Sequence, residues 1–515
     1  MKSSTKKIII DVILIMVVAL ISLSWFQGDL IVSGGDSVFN YNASETLQRY
    51  YTTWDDLSGT GLPQVQNLCQ IFPYQTIHAL ADTIGVPLHI VQKLNYYILF
   101  AVCGLAMYFF ARTTLSGSRY QRLPAILAAL FYMFNPFALV LTWGGNLTFI
   151  SFYAILPFFI GAFIKGIRDK KYIYIALIPF VGLLFSLGYS VTVLMALAWL
   201  LMFVILIFYI LSNLKKSNRR RIWSAVKFTL LLVIVWLALN SFWLLPYFAE
   251  AGNLTTMAAY DNSTEQLISV SQSSSATEAL RLLTYPPFFQ KFMGIDAFYP
   301  YAETYNSFGF FILSACFTIL ALVGIIFSWK FYPKCRKFLL FFALLLGVAF
   351  FLFRGSNSIF GGGYVWMMDN YPWMVAFRVP IDKFGPFFVL PYTLFAGIGI
   401  TVVLRLLFHK GTLLSKIGKN ITLGAFVFLL VGVLMFPMWT GQVFYPGGKV
   451  RASFLTKPPS DYDELAEFLR ADPETHRLLP IPTCGTWGCG LWWNEGQHGH
   501  SGGDPHFALL PKTTV

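Results

Sequence analysis

The sequence predicts an all-α polytopic membrane protein with about eleven transmembrane helices, and three observations carry that prediction. Hydrophobic residues make up 56% of the 515 and charged residues only 12%, against roughly 45–50% and 25% in an average soluble domain. Mean hydropathy is +0.62. Apolar runs of about 17–25 residues, the length that crosses a bilayer, recur along the chain. Together these exclude a soluble enzyme, a disordered chain and a disulfide-stapled secreted module.

The runs lie near 8–26, 95–112, 125–143, 149–165, 172–189, 191–212, 225–248, 308–328, 338–353, 385–407 and 421–440. The run at 338–353 is short, and the 172–212 region divides in more than one way. Trp25, Trp143, Trp223, Trp329 and Trp439 stand at run ends, where an aromatic belt meets the membrane interface. Lys6 and Lys7 before the first run suit a signal peptide. That run is longer than the usual signal core, however, and no small-residue cleavage site follows before Asp29, so an uncleaved first helix is expected.

A net charge of +13 invites a nucleic-acid reading, which the distribution of charge removes. With the N-terminus inside, 24 of the 37 Lys and Arg fall in short inner segments. The outer side holds 13, together with 22 of the 24 acids; Asp169 lies inside and Asp11 in the first run. The basic surplus therefore reports topology. It places the N-terminus in the cytoplasm and the C-terminus outside, for which a plasma-membrane location is expected, with the bilayer and no nucleic acid as partner. Asp11 and Lys227 lie within runs near inner ends, Arg112, Lys165 and Arg405 stand at the inner limits of theirs, and none lies mid-run, which argues against a proton-relay pump.

Four outer segments are long: 27–94, 249–307, 354–384 and the tail 441–515. The polar mass, and hence the function, is expected there. The first segment reads Gly34-Gly35-Asp36, then a helix from about Ala43 to Trp54, then Asp55-Asp56. Beyond it, Ile77, Leu80, Ile84, Leu88 and Val91 recur at helical spacing. Both helices are expected to lie in the interface. The Ser-rich stretch 263–277 reads equally as a mobile flap or as plain linker. In the tail, Asp461 to about Arg470 suits a short amphipathic helix, and Leu478 to Pro482 a strand. Residues 1–440 are thus expected to form the membrane domain, and 441–515 an extracytoplasmic tail, the expected truncated start of an α/β or β module.

The candidate chemistry is sparse. Asp36, flanked by two glycines just past the first run, is either a general base for an acceptor hydroxyl or a loop cap or ion-pair partner. Asp55 and Asp56 suit an acceptor or metal contact, or a helix-end turn. Arg378 and Lys383 suit a lipid-linked phosphate, or act as interface anchors. Cys484 and Cys489 are a candidate disulfide in an oxidising compartment; with His498 and His500 they fit zinc poorly, because C-x4-C is the wrong spacing. No G-x-S-x-G, Walker A or H-E-x-x-H motif is present.

Gly35-Asp36, Trp54-Asp55, Gly61, Gln64, Gln66-Asn67 and Phe72-Pro73 resemble the arabinofuranosyltransferase D-like branch of the polytopic GT-C glycosyltransferases. Phe377-Arg378, Pro380 and Lys383-Phe384 are similar to a stretch shared by related GT-C proteins, including the YfhO-like membrane proteins. The resemblance spans roughly 1–440 and is most specific over 34–74. It implies a GT-C-like fold and a transferase that moves a sugar from a polyprenyl-phosphate donor to an acceptor hydroxyl of a cell-envelope glycan. Asp36 takes the place of the catalytic base, and Arg378 and Lys383 the place of phosphate stabilisers. Asp55 or Asp56 would bind the acceptor or a divalent cation, the one cofactor in question. A non-catalytic translocator or scaffold for lipid-linked glycans is the alternative.

Overall fold

Apolar helices dominate the computed structural model, which describes residues 3–35, 41–55, 62–118, 120–143, 146–214, 218–258, 263–285, 301–408, 413–444, 454–474, 477–481, 489–493, 498–502 and 504–512. Among them, 10 helices are long and apolar enough to span a membrane. They are Thr5–Trp25, Leu88–Thr114, Arg122–Val140, Leu147–Asp169, Thr192–Leu211, Arg219–Glu250, Phe308–Phe331, Pro333–Phe353, Pro380–Leu407 and Lys416–Val433. Each matches one predicted run.

The eleventh run, 172–189, falls short of a spanning helix. Its α-helix covers only Tyr174–Leu184 and gives way to a 3-10 turn at Ser186–Ser190. Pro179 within it lacks an amide donor, and Ser186 and Gly188 beyond it are poor helix formers. The segment nonetheless runs from one end of the bundle to the other. The Leu88–Thr114 helix defines those ends: Gln92 near its start bonds Val32, and Thr113 near its finish accepts 2.8 Å from Arg168 Nη1. The segment leaves from Arg168 and finishes where Ser186 Oγ donates to Phe72 O (2.9 Å) and Ser190 Oγ accepts from Gln70 Nε2 (2.9 Å). We call these the basic end and the loop end.

Pro380–Leu407 is the central helix, with 94% of its apolar window buried, whereas Lys416–Val433 lies at the periphery with 11%. Its closest neighbour is Phe308–Phe331. Gly324 and Gly399 face each other across that crossing, and a Cβ on Gly399 would run into the Leu320 carbonyl oxygen. Between spanning helices, where no water is expelled, such close backbone approach is a main source of attraction.

Asp11, the acid inside the first run, is a structural tie at the basic end. Its side chain is 1% exposed and accepts from Arg122 Nη2 (2.7 Å), Arg122 Nε (3.0 Å) and Tyr108 OH (2.6 Å). Three helices are joined there.

At the loop end, the Ser-rich stretch is neither flap nor linker but two packed helices, Ser263–Ser271 and Ala276–Leu280. The serines satisfy backbone groups. Ser273 Oγ donates to Thr284 O (2.5 Å), and Ser271 Oγ accepts from Ser356 N (3.1 Å). Low hydrophobicity misled because the hydroxyls bond inward.

Among the described residues the tail forms its helix at Asp461–Ala471 and three strands, Leu455–Thr456, Cys489–Trp493 and His498–Gly502. Leu478 to Pro482 does not form the expected strand: only Leu478 makes a bridge, and Pro482 lies outside the described residues. The tail strands pair with the first outer segment. Ile31–Val32 runs antiparallel to Leu455–Thr456, and Gly34–Gly35 runs parallel to Ser501–Gly502.

Candidate functional site at the loop end

The chain leaves the first spanning helix at Trp25 and becomes extended at Ile31, where it is gripped from two sides. On one side Ser33 N donates to Phe454 O (2.9 Å), within the pairing to the tail. On the other, the Gln92 amide imitates a strand: Val32 N donates to its Oε1 (2.7 Å) and its Nε2 donates to Val32 O (2.8 Å). Gln92 is 1% exposed, so both bonds are made out of water. There a lost partner costs more than the net worth of the bond. Ser33 Oγ lies 2.9 Å from Nδ1 of His500, which is 0% exposed. Gly34 and Gly35 then lie beside Ser501 and Gly502. Asp36 follows directly and lies outside the described residues, as do Asp56 and Gly61.

Beyond it, Tyr41 packs in a small outer core with Leu469, Trp493, Leu509 and Leu510. The predicted helix from Ala43 is shorter than expected and ends at Tyr50. Ser44 Oγ donates to Asp82 Oδ2 (2.9 Å) at its start. The tail holds its flank through Glu45–Arg470 (3.0 Å) and Arg49 Nη2 to Leu510 O (3.3 Å). Trp54–Asp55 turns into a strand paired with Leu62–Pro63, and Gln64 Nε2 closes the base of that hairpin on Arg49 O (2.6 Å) and Thr52 Oγ1 (2.9 Å). Asp55 is therefore a hairpin carboxylate, not a helix-end residue. Burial, with Asp55 adding its charge, pushes the Tyr50 hydroxyl up to about 12.

The second predicted helix splits. Thr76–Thr83 is a helix whose Ile77, Leu80 and following Ile84 are exposed, but Gly85 and Pro87 break it, and Leu88 and Val91 belong to the next spanning helix. Gly85 takes φ +74, which a side chain would oppose. His78 is 2% exposed, 2.7 Å from Asn95 Nδ2, with its ring tilted against that of Tyr74 at 4.3 Å. Burial lowers its pKa to about 4. The unfolded chain thus binds a proton that the folded one refuses between about pH 6.5 and 4. Stability from His78 is intact above that window and falls through it on acidification, by about 3 kcal/mol in full. The thermal midpoint of wild type should drop across the window, and His78→Gln should flatten part of that drop; parallel curves would contradict the assignment.

Arg378 closes a 3-10 turn, Pro372–Phe377, that leads into the central helix. Its Nη1 donates to Val375 O (3.3 Å), and its buried Nε has no hydrogen-bond partner among the described residues. Lys383 Nζ stands 4.9 Å over the ring of Phe149. Phe149 begins the helix whose far end carries Arg168, so Lys383 is at the loop end. Phe377 stacks on Phe384 with centroids 5.7 Å apart, which folds the chain carrying both cations into a compact turn. Two cations thus share one end of the bundle with Gly34–Gly35 and Asp55.

Among the described residues, no three His, Cys, Asp or Glu side chains stand close enough to hold a metal. Cys484 lies outside the described residues, so the pairing with Cys489 does too. Sequence reasoning missed Gln92 and Ser33, and it singled out His500 only as a poor zinc ligand. An amide just before an apolar run was the one available signal for Gln92; none marked Ser33.

The family model for the alpha-(1->3)-arabinofuranosyltransferase N-terminal GT-C domain matches residues 23–492. Among solved structures, the chain is similar to the cryo-EM structure of arabinofuranosyltransferase AftD from Mycobacteria, at 15% identity and TM-score 0.62, over 98% of this chain and 31% of that one. A mutant form of AftD matches at 15% identity and TM-score 0.56, over 98% and 32%. The chain thus spans about a third of the length of these structures. No curated protein matches. At this identity the structures establish the fold, GT-C, and the family model establishes kinship: the chain belongs to the family of the arabinofuranosyltransferase N-terminal GT-C domain.

Proposed function

We propose that the protein is a membrane glycosyltransferase that moves a sugar from a polyprenyl-phosphate donor to an acceptor hydroxyl of a cell-envelope glycan. The basic end faces the cytoplasm, by the excess of Lys and Arg in its short loops, and the loop end works on the extracytoplasmic face of the plasma membrane. Asp36 is the general base. The observation that supports this best is the two-sided grip, by Gln92 and by the tail, on residues 31–35, which immediately precede Asp36 in sequence. A base must be held to a fraction of an ångström, and rigid elements do this better than loops.

In the step, the acceptor oxygen attacks the anomeric carbon and loses its proton to Asp36, while the bond from that carbon to the phosphate oxygen breaks. The departing lipid phosphate gains charge, and Arg378 and Lys383 stabilise it. Asp55 and Asp56 contact the acceptor or a divalent cation. Arg378→Ala and Lys383→Ala should each lower kcat/KM about ten- to a hundredfold, as expected for one charge-assisted hydrogen bond.

The reading is tested with the purified chain in nanodiscs, offered labelled sugars on polyprenyl phosphates and, in parallel, on nucleotides. Transfer from the lipid donors alone is expected. Donor binding by folded protein without transfer would favour a translocator or scaffold.

A further inference from the structure

We infer that the basic end of the bundle carries a binding site for the phosphate headgroup of an anionic phospholipid, a site independent of the transferase reading. A cavity of about 600 Å³ opens there between four helices. It lies between the C-terminal ends of Leu147–Asp169 and Thr192–Leu211 and the N-terminal ends of Arg219–Ala258 and Arg336–Phe353. Arg168, Lys170, Arg221, Lys334 and Lys337 line it, against a single acid, Asp169.

That acid is already used. Arg168 Nε and Nη2 grip the two Asp169 oxygens at 2.7 and 3.0 Å, so this pair adds no net charge. Lys337 Nζ rests on Ser212 O at 2.8 Å. Lys170, Arg221 and Lys334 therefore bring positive charge to a cavity with no further carboxylate in its lining. Two of the lining cations, Arg221 and Lys337, sit in the first turn of their helices. Positive charge there opposes the helix dipole and costs stability unless an anion is present. Phosphate answers both the side chains and the helix ends.

The apolar surroundings favour a lipid over a free anion. Phe208 and Phe338 form part of the wall. Ile207 (55% exposed) and Leu211 (61%), adjacent to the lining residues Phe208 and Ser212 on the same spanning helix, are exposed where acyl chains would lie. Basic pockets between spanning helices at a membrane surface are suited to phospholipid headgroups.

The test titrates the full chain, purified in neutral detergent, with phosphatidylglycerol, phosphatidylcholine and inorganic phosphate, following the thermal midpoint. Phosphatidylglycerol alone should stabilise wild type. Lys170→Gln, Arg221→Gln and Lys334→Gln combined should weaken its binding on the order of a hundredfold, about fivefold per charge. Lys416→Gln with Lys419→Gln, at the same end but outside the cavity lining, should leave it unchanged. If the triple variant does not fold, Arg221→Gln alone decides, with its fivefold loss. Undiminished phosphatidylglycerol affinity in the cavity variants would overturn the site. Equal stabilisation by inorganic phosphate would overturn the lipid as its occupant.

Discussion

Replacing Arg281 by Ala is expected to cost about 3–5 kcal/mol of stability, the range for breaking a buried ion pair from one side. Arg281 is 4% exposed and every face of its guanidinium is occupied. Nε donates to Ser314 Oγ at 2.7 Å, Nη1 to both Glu278 oxygens at 3.0 Å, and Nη2 to Tyr305 O at 2.6 Å. The ring of Phe311 lies 4.9 Å beneath. One side chain thus fastens the Ala276–Leu280 helix to the start of Phe308–Phe331. Without it, Glu278 is left as a half-buried carboxylate, and burial already raises its pKa despite the arginine. Thermal unfolding in detergent should show a shift of several degrees or outright loss of folded protein. Lys457→Ala, which opens the exposed Lys457–Asp29 pair, should change little. Equal small shifts in the two variants would contradict the anchoring role.

The spanning architecture was legible because a bilayer imposes length and apolarity on each helix, and those are properties of composition. Ten runs reappear as spanning helices. The eleventh shows the limit: hydropathy counts Pro179, Ser186 and Gly188 within an apolar run, whereas the backbone breaks there. The outer segments were less legible because their order comes from long-range partners. The Ser-rich stretch is polar, yet it is fixed by nearby Thr284 and by Ser356 and Arg354, residues remote in sequence. Similarly, the periodic apolar residues from Ile77 to Val91 suggested one helix, and a left-handed glycine with a following proline made two.

At the site, the glycines before Asp36 stood out, and so did Arg378 and Lys383, because charge at the ends of apolar runs is conspicuous. The pairing of Gly34–Gly35 with Ser501–Gly502 was not legible. It joins residues more than 460 positions apart, through backbone bonds that leave no trace in side-chain pattern. Dividing the chain near residue 440 hid the same fact, since the tail that looked like a separate piece supplies the strand beside Gly34–Gly35.

Sugar transfer by Asp36→Asn, measured beside wild type in nanodiscs with a labelled polyprenyl-phosphate donor, tests the assignment of the base most directly. Asparagine keeps the size and most of the hydrogen bonding of aspartate but cannot take the acceptor proton. The expected result is a fall in kcat of about 10²–10⁴, the usual share of a general base, with the donor dissociation constant unchanged. Equal transfer by the two proteins would contradict Asp36 as the base while leaving the enzyme class standing.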